Sequence, residues 1–139
     1  MKDKFFLDTG IIVYSFDSPD SPKREISKNL IKKAHHDKGC ISFQVIQEFM
    51  NVATGKFERP LKTKDAQKYL SRILFPICDI FPSEELYLIA LEISERWQYS
   101  FYDSLIIAAA LESDCSILYS EDLQDKQKIY QLDIVDPFR

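Results

Sequence analysis

The chain has 139 residues, of which 45% are hydrophobic, 29% are charged and only three are glycine. That length supports one core burying most of the apolar surface without disulfides or metal, and the composition excludes a disordered, collagen-like or Gly-rich phosphate-loop protein. The formal charge of -4 argues against an overall electrostatic grip on nucleic acid, and no segment reaches the ~18 apolar residues of a membrane span, so a cytoplasmic domain is expected.

In chain order, β-type runs occur at "KFFLD" (4–8), "CISF" (40–43), "ICDIF" (77–81), "SILYS" (116–120) and "LDIV" (132–135). Helical patterns separate them at about 10–16, 23–37, 44–55, 63–74, 84–98, 103–113 and 123–129. This alternation predicts an α/β domain spanning residues 1–139, with a parallel five-stranded sheet flanked by helices. Pro22 and Thr63 suit a first helical turn and a cap. Leu86, Ile89, Ala90, Ile93 and Trp97 share one face of helix 84–98, which places Trp97 in the core rather than on a cofactor. "YDSLIIAAAL" (102–111) reads as a helix packed on nearly all sides, with Asp103 at its entrance.

Other constellations carry less. Cys40, Cys78 and Cys115 are odd in number and widely spaced, as reduced core cysteines are. His35 and His36 are adjacent at a charged helix end, which suits an exposed last turn rather than a chelate. The basic clusters Lys23–Lys33 and Lys56–Arg72 read as solvated faces. No Gly-rich phosphate cradle or Ser-His-Asp order supports nucleophilic catalysis.

Four acids fall at element boundaries that a parallel sheet could bring to one edge. Asp8 follows the first strand, Glu48 lies in the first turns after the second, Asp103 opens the apolar helix, and Asp122 follows the fourth strand. Ligand sites in open α/β sheets gather beyond the carboxyl ends of the strands. Two carboxylates ~4 Å apart repel by roughly 1–4 kcal/mol at effective dielectrics of about 80 to 20. Such a pocket therefore keeps some acids protonated or holds a cation, and all-oxygen ligation favours Mg²⁺ or Mn²⁺ over zinc. A cation there suits phosphodiester hydrolysis. Taken singly, Asp103 reads as the N-cap of its helix, Asp122 as a turn former and Asp8 as the cap of a helix beginning near Gly10. Only the set raises the functional reading above these.

The four acid-bearing fragments "FFLDTGIIVYSFD", "ISFQVIQEFMNVATGK", "YDSLIIAAAL" and "ILYSEDLQD", in that order, resemble the PIN-domain family, particularly its toxin-type VapC-like ribonucleases. The resemblance spans residues 4 to about 135. It implies a three-layer α/β/α sandwich of strand order 3-2-1-4-5 and a Mg²⁺- or Mn²⁺-dependent acidic site that cleaves RNA to 5′-phosphate and 3′-hydroxyl ends. It also implies a homodimer and a small antitoxin partner. On this chain the family's acids correspond to Asp8, Glu48, Asp103 and Asp122, with Asp8 and Asp103 binding metal most directly, and Ser120 resembles its small hydroxyl residue.

Two positions depart from the family pattern. Gly10 stands where members often carry Asn or Ser, so a side-chain bond steadying Asp8 is absent, and Lys126 stands where Gly is frequent, which argues against a positive φ. The enzyme reading requires Asp103 to face Asp8 across a metal-sized gap, so helix 84–98 is expected to cross above the strand ends. The alternatives are a PIN-fold binding module, to which Gly10 points, and a phosphoacceptor receiver-type domain, which wants a second acid at the first strand end.

Overall fold

The computed structural model describes residues 4–139. The first strand, β1 (Phe5–Leu7), is buried along its whole length. It ends where Asp8 turns its side chain back to accept the backbone N–H of Thr9, which caps helix α1 (Thr9–Tyr14). Helix α2 (Pro22–His36) starts on a proline at its first position, where the missing N–H costs nothing. Strand β2 (Gly39–Ser42) and helix α3 (Phe43–Gly55) follow. Gly39 lies against α2 so closely that an added Cβ would sit 2.4 Å from the Ala34 Cβ. Any side chain there would force the strand and α2 apart.

The expected helix 63–74 divides into α4 (Thr63–Tyr69), a π turn (Leu70–Leu74) and a 3-10 turn at Phe75–Ile77, before β3 (Cys78–Ile80). Helices α5 (Glu84–Trp97) and α6 (Phe101–Glu112) form a hairpin around Gln98, which takes a left-handed φ of 63°. Contrary to expectation, α5 packs chiefly against α6 rather than across the strand ends. Residues Ser104–Ala110 of α6 are all buried, as the apolar run predicted. Trp97 packs against the core and meets the Tyr130 ring edge-on at 5.1 Å.

Strand β4 (Ile117–Tyr119) pairs in parallel with β1, and β6 (Leu132–Val135) pairs in parallel with β4. The predicted helix 123–129 is absent. A bend, a turn at 125–126 and irregular backbone occupy that segment, which ends in the two-residue strand β5 (Lys128–Ile129), antiparallel to β6. Lys126 takes a φ of 70°, contrary to the expectation, because its N–H bonds the Ile134 carbonyl at 2.8 Å and folds the loop back on β6. The order is β3-β2-β1-β4-β6-β5, so the five expected strands stand in the expected sequence and a short sixth closes one edge.

Phe6, Leu7, Ile41, Leu118 and Ile134 fill the sheet's share of the core. The central strands β1 and β2 are apolar and buried almost continuously, while β3 and β6 alternate, with Asp79 and Asp133 exposed. All three cysteines are free and buried, and the Cys40 and Cys115 sulfurs lie 3.6 Å apart. His35, exposed on the last turn of α2, sets its ring nitrogens 3.0 Å from the Ile31 carbonyl and 2.8 Å from the Ile73 carbonyl, tying α2 to the π turn. Among the described residues no helix is long and apolar enough to cross a membrane.

Candidate active site

The parallel register carries β1 and β4 to the same edge, and the backbone joins them there. Asp8 N–H donates to the Tyr119 carbonyl at 3.0 Å, and the Ser120 N–H donates to the Val135 carbonyl at 3.0 Å. Ser120, fully buried, then serves three groups. Its hydroxyl donates to Asp8 Oδ2 at 2.8 Å and accepts the N–H groups of Asp122 and Leu123 at 3.2 and 3.3 Å. One hydroxyl thus fixes the first acid and shapes the loop that carries the fourth.

Asp8 is almost enclosed, at 8% exposed, and burial pushes its carboxyl up from the ordinary 3.8 to about 6. The Ser120 hydroxyl and Thr9 amide oppose that rise, while the charges of Glu48 and Asp122 add to it. Asp122 is also raised, first by partial loss of hydration and then by Glu121, Asp103, Asp136 and Glu48. Like-charge influence therefore links Asp8 to Glu48 and Asp122, and Asp122 in turn to Asp103 and Glu48. Asp103 acts on Asp122, while the charges acting on Asp8 are those of Glu48 and Asp122.

Glu48, half-buried on α3, accepts the Thr9 hydroxyl at 2.5 Å on Oε1 and the Gln44 amide at 2.9 Å on Oε2. Asp103 is not the N-cap of its helix. That role belongs to Ser100, whose hydroxyl accepts the Asp103 N–H at 3.1 Å, so the Asp103 carboxylate is spared capping and sits in the first turn, where the helix dipole favours an anion. Glu48 and Asp122 line a cavity of about 430 Å³ with Thr9, Gly10, Val13, Tyr14, Asn51, Val52 and Glu121. Space beside Gly10 is open, with nothing within 4 Å of an added Cβ, and Asp8 is steadied from Thr9 and Ser120 instead.

Cations are close but engaged elsewhere. Lys23 pairs with Glu121, and Arg139 pairs with Asp136 at 3.4 Å. Among the described residues, no salt bridge reaches Asp8, Glu48, Asp103 or Asp122, and no group of three ligating side chains is drawn tightly enough around one point to hold an ion. The donors are all oxygen and carry no basic partner among the described residues, a set that would fit a hard divalent cation keeping several of its waters.

A family model for the PIN domain matches residues 5–129. The chain belongs to the PIN domain family. This PIN domain superposes on a toxin–antitoxin complex chain from Klebsiella pneumoniae with TM-score 0.69 and 19% identity, covering 95% of this chain and 96% of that one. It matches the VapBC2 structure from Rickettsia felis, bound to a promoter DNA fragment, with TM-score 0.63 and 20% identity over 94% and 96% of the two chains. It also matches Mycobacterium tuberculosis VapC20, described as a Sarcin-Ricin loop cleaving toxin, with TM-score 0.60 and 15% identity over 85% and 89%. No curated protein sequence matches it. At these identities the solved structures establish the fold.

Sequence reasoning missed four groups around the acids. Gln44 stands one helical turn before Glu48 in "QVIQE", a spacing that puts both on one face. Thr9 follows Asp8 directly, and Asp136 follows the last strand as Asp8 follows the first. Tyr99 had no local signal. Its hydroxyl reaches Gln127 and accepts the Gln124 N–H at 3.2 Å, pinning the Asp122 loop to the α5–α6 turn.

Proposed function

We propose that this PIN domain is a divalent-metal-dependent endoribonuclease and the toxin of a toxin–antitoxin pair. What supports the reading is that the charges of Glu48 and Asp122 act on Asp8 and that of Asp103 acts on Asp122, with no salt bridge to any of the four among the described residues. Asp8 and Asp103 would hold Mg²⁺ or Mn²⁺ most directly, and Glu48 and Asp122 would complete the shell or hold the attacking water. When bound, such a cation supplies positive charge for the phosphodiester and lowers the pKa of an attacking water. The chain's own residues do the rest. Ser120 and the Thr9 amide aim Asp8, Thr9 and Gln44 hold both oxygens of Glu48, and the Tyr99 hydroxyl pins the loop of Asp122.

The partners proposed are an RNA substrate, a cognate antitoxin and a second copy of the chain, in the cytoplasm. An apolar groove of about 430 Å³ between Phe16, Ile31, Tyr69 and Ile73, rimmed by Lys28 and Lys32, suits an acidic amphipathic antitoxin segment. Leu88 and Leu91, 58% and 56% exposed on α5, suit a homodimer face, and a charged residue at both should shift sedimentation to the monomer. A binding module is the second reading, favoured by the lack of a three-ligand cluster among the described residues. Cleavage of structured and single-stranded RNA with Mg²⁺ or Mn²⁺, against chelator and Asp103→Asn, decides between them. Absence of metal-dependent cleavage on any RNA would select the binding module.

A further inference from the structure

Gln44 is 3% exposed on the first turn of α3, and among the described residues its amide makes the one side-chain hydrogen bond that joins α3 to α6. Nε2 donates one hydrogen to Glu48 Oε2 at 2.9 Å and the other to the Tyr102 carbonyl at 3.0 Å. The Tyr102 carbonyl belongs to the peptide plane whose nitrogen is that of Asp103. One planar amide therefore fixes Glu48 on α3 relative to the backbone that presents Asp103 on α6.

Two further features separate this from ordinary core packing. The donors on Glu48 are both neutral, from Gln44 and from Thr9, so they orient the carboxylate without cancelling its charge. A lysine at the same place would form an ion pair and compete with any cation. Moreover, Gln44 Oε1 is buried with no partner among the described residues. An unsatisfied buried acceptor costs on the order of 1–3 kcal/mol, so the amide is retained for what its Nε2 does for Glu48 and Tyr102 and not for its own oxygen.

We infer that Gln44 is a positioning residue that sets the spacing of Glu48 and Asp103 and thereby the affinity of the acidic site for a divalent cation. This rests on the reading of those acids as the cation site. Partners that orient metal ligands typically contribute about 10–100-fold in metal affinity, and Gln44 stands in that relation to Glu48.

The test is Mn²⁺ binding by isothermal titration calorimetry to the full chain, with Gln44→Met, Glu48→Gln and the double variant. Gln44→Met should weaken binding roughly tenfold or more. In the Glu48→Gln background the same change should add little, because the group through which Gln44 acts is gone. Wild-type affinity in Gln44→Met, or an equal loss in both backgrounds, overturns the inference while leaving the cation site standing. No Mn²⁺ binding by the wild type overturns both. Should Gln44→Met fail to fold, the wild type still decides the matter. The Gln44 side-chain amide resonances should shift saturably with added Mg²⁺, and unmoved resonances refute the role.

Discussion

Asp8→Asn separates what this acid does for chemistry from what it costs the fold. Burial with Glu48 and Asp122 nearby outweighs the bonds from Ser120 and Thr9, lifting Asp8 from 3.8 to about 6. A carboxyl whose folded pKa lies above its unfolded value keeps its proton longer in the native state. Over that interval the native state binds more protons, and stability falls as pH rises. At 1.36 kcal/mol per pH unit, the rise from 3.8 to about 6 corresponds to roughly 3 kcal/mol lost by neutral pH in metal-free protein. Asparagine removes that charge, but its one carbonyl oxygen accepts only one of the two donors, which returns ~1–1.5 kcal/mol. The variant should therefore be more stable than wild type by roughly 1–2 kcal/mol near pH 7.5 in chelator, and equal or less stable near pH 4. Urea unfolding across that range measures the difference, and RNA cleavage with metal should be abolished in the same variant. An Asn variant less stable than wild type near neutral pH, or an advantage that does not shrink toward acid, would refute the electrostatic account.

Three further outcomes follow from particular contacts. Ser120→Ala removes the hydroxyl that holds Asp8 down and the acceptor of two loop amides, so the rising limb of the pH–rate profile should move to higher pH, with stability lower by about 1–3 kcal/mol on denaturation. Gly39→Ala places a methyl 2.4 Å from Ala34 Cβ and 2.5 Å from its Cα, and should cost roughly 1–3 kcal/mol in urea unfolding with little change in rate per folded molecule. Gly10→Ala meets open space within α1 and should gain about 0.5–1 kcal/mol, read as a raised Tm.

The five predicted strands were legible because each is a short apolar run between helical patterns, β5 was not, and three acids of the candidate site stand out because they open or close such runs. Glu48 was legible only with its companions, since its helix face is apolar on both sides. The loop after β4 was not legible. The run 123–129 has helical periodicity, yet Ser120 and Tyr99 satisfy the amides of Asp122, Leu123 and Gln124 from outside the segment, and Lys126 bonds across to Ile134. Those partners are distant in sequence, and they override local preference. The cap of α6 was within reach, because Ser100 stands three residues before Asp103 as a capping serine does. The tie of Gln44 to Tyr102 joins residues 58 apart, and nothing in α3 alone announces it.

The distribution of cations at the strand ends sharpens the reading of the acids. Six carboxylates gather there: Asp8, Glu48, Asp103, Glu121, Asp122 and Asp136. Glu121 takes Lys23, which also stands 4.6 Å from the centre of the Tyr14 ring, and Asp136 takes Arg139. Those two acids are structural, since each ties a loop or terminus to the rim. The other four receive only hydroxyl and amide donors, or none, among the described residues. Burial first, and then the charges of Glu48 and Asp122, raise the Asp8 pKa, and that rise is a cost in stability at neutral pH. A fold selected for stability alone would place a lysine or arginine among them, as this one does beside Glu121 and Asp136. Four acids without a basic partner among the described residues, each held from a separate element, are the arrangement that the proposed divalent cation would neutralise. Cation binding should then stabilise the protein in proportion to ln(1 + [M]/Kd), and the rise in Tm with Mn²⁺ should vanish when Asp8 and Asp103 are both made Asn.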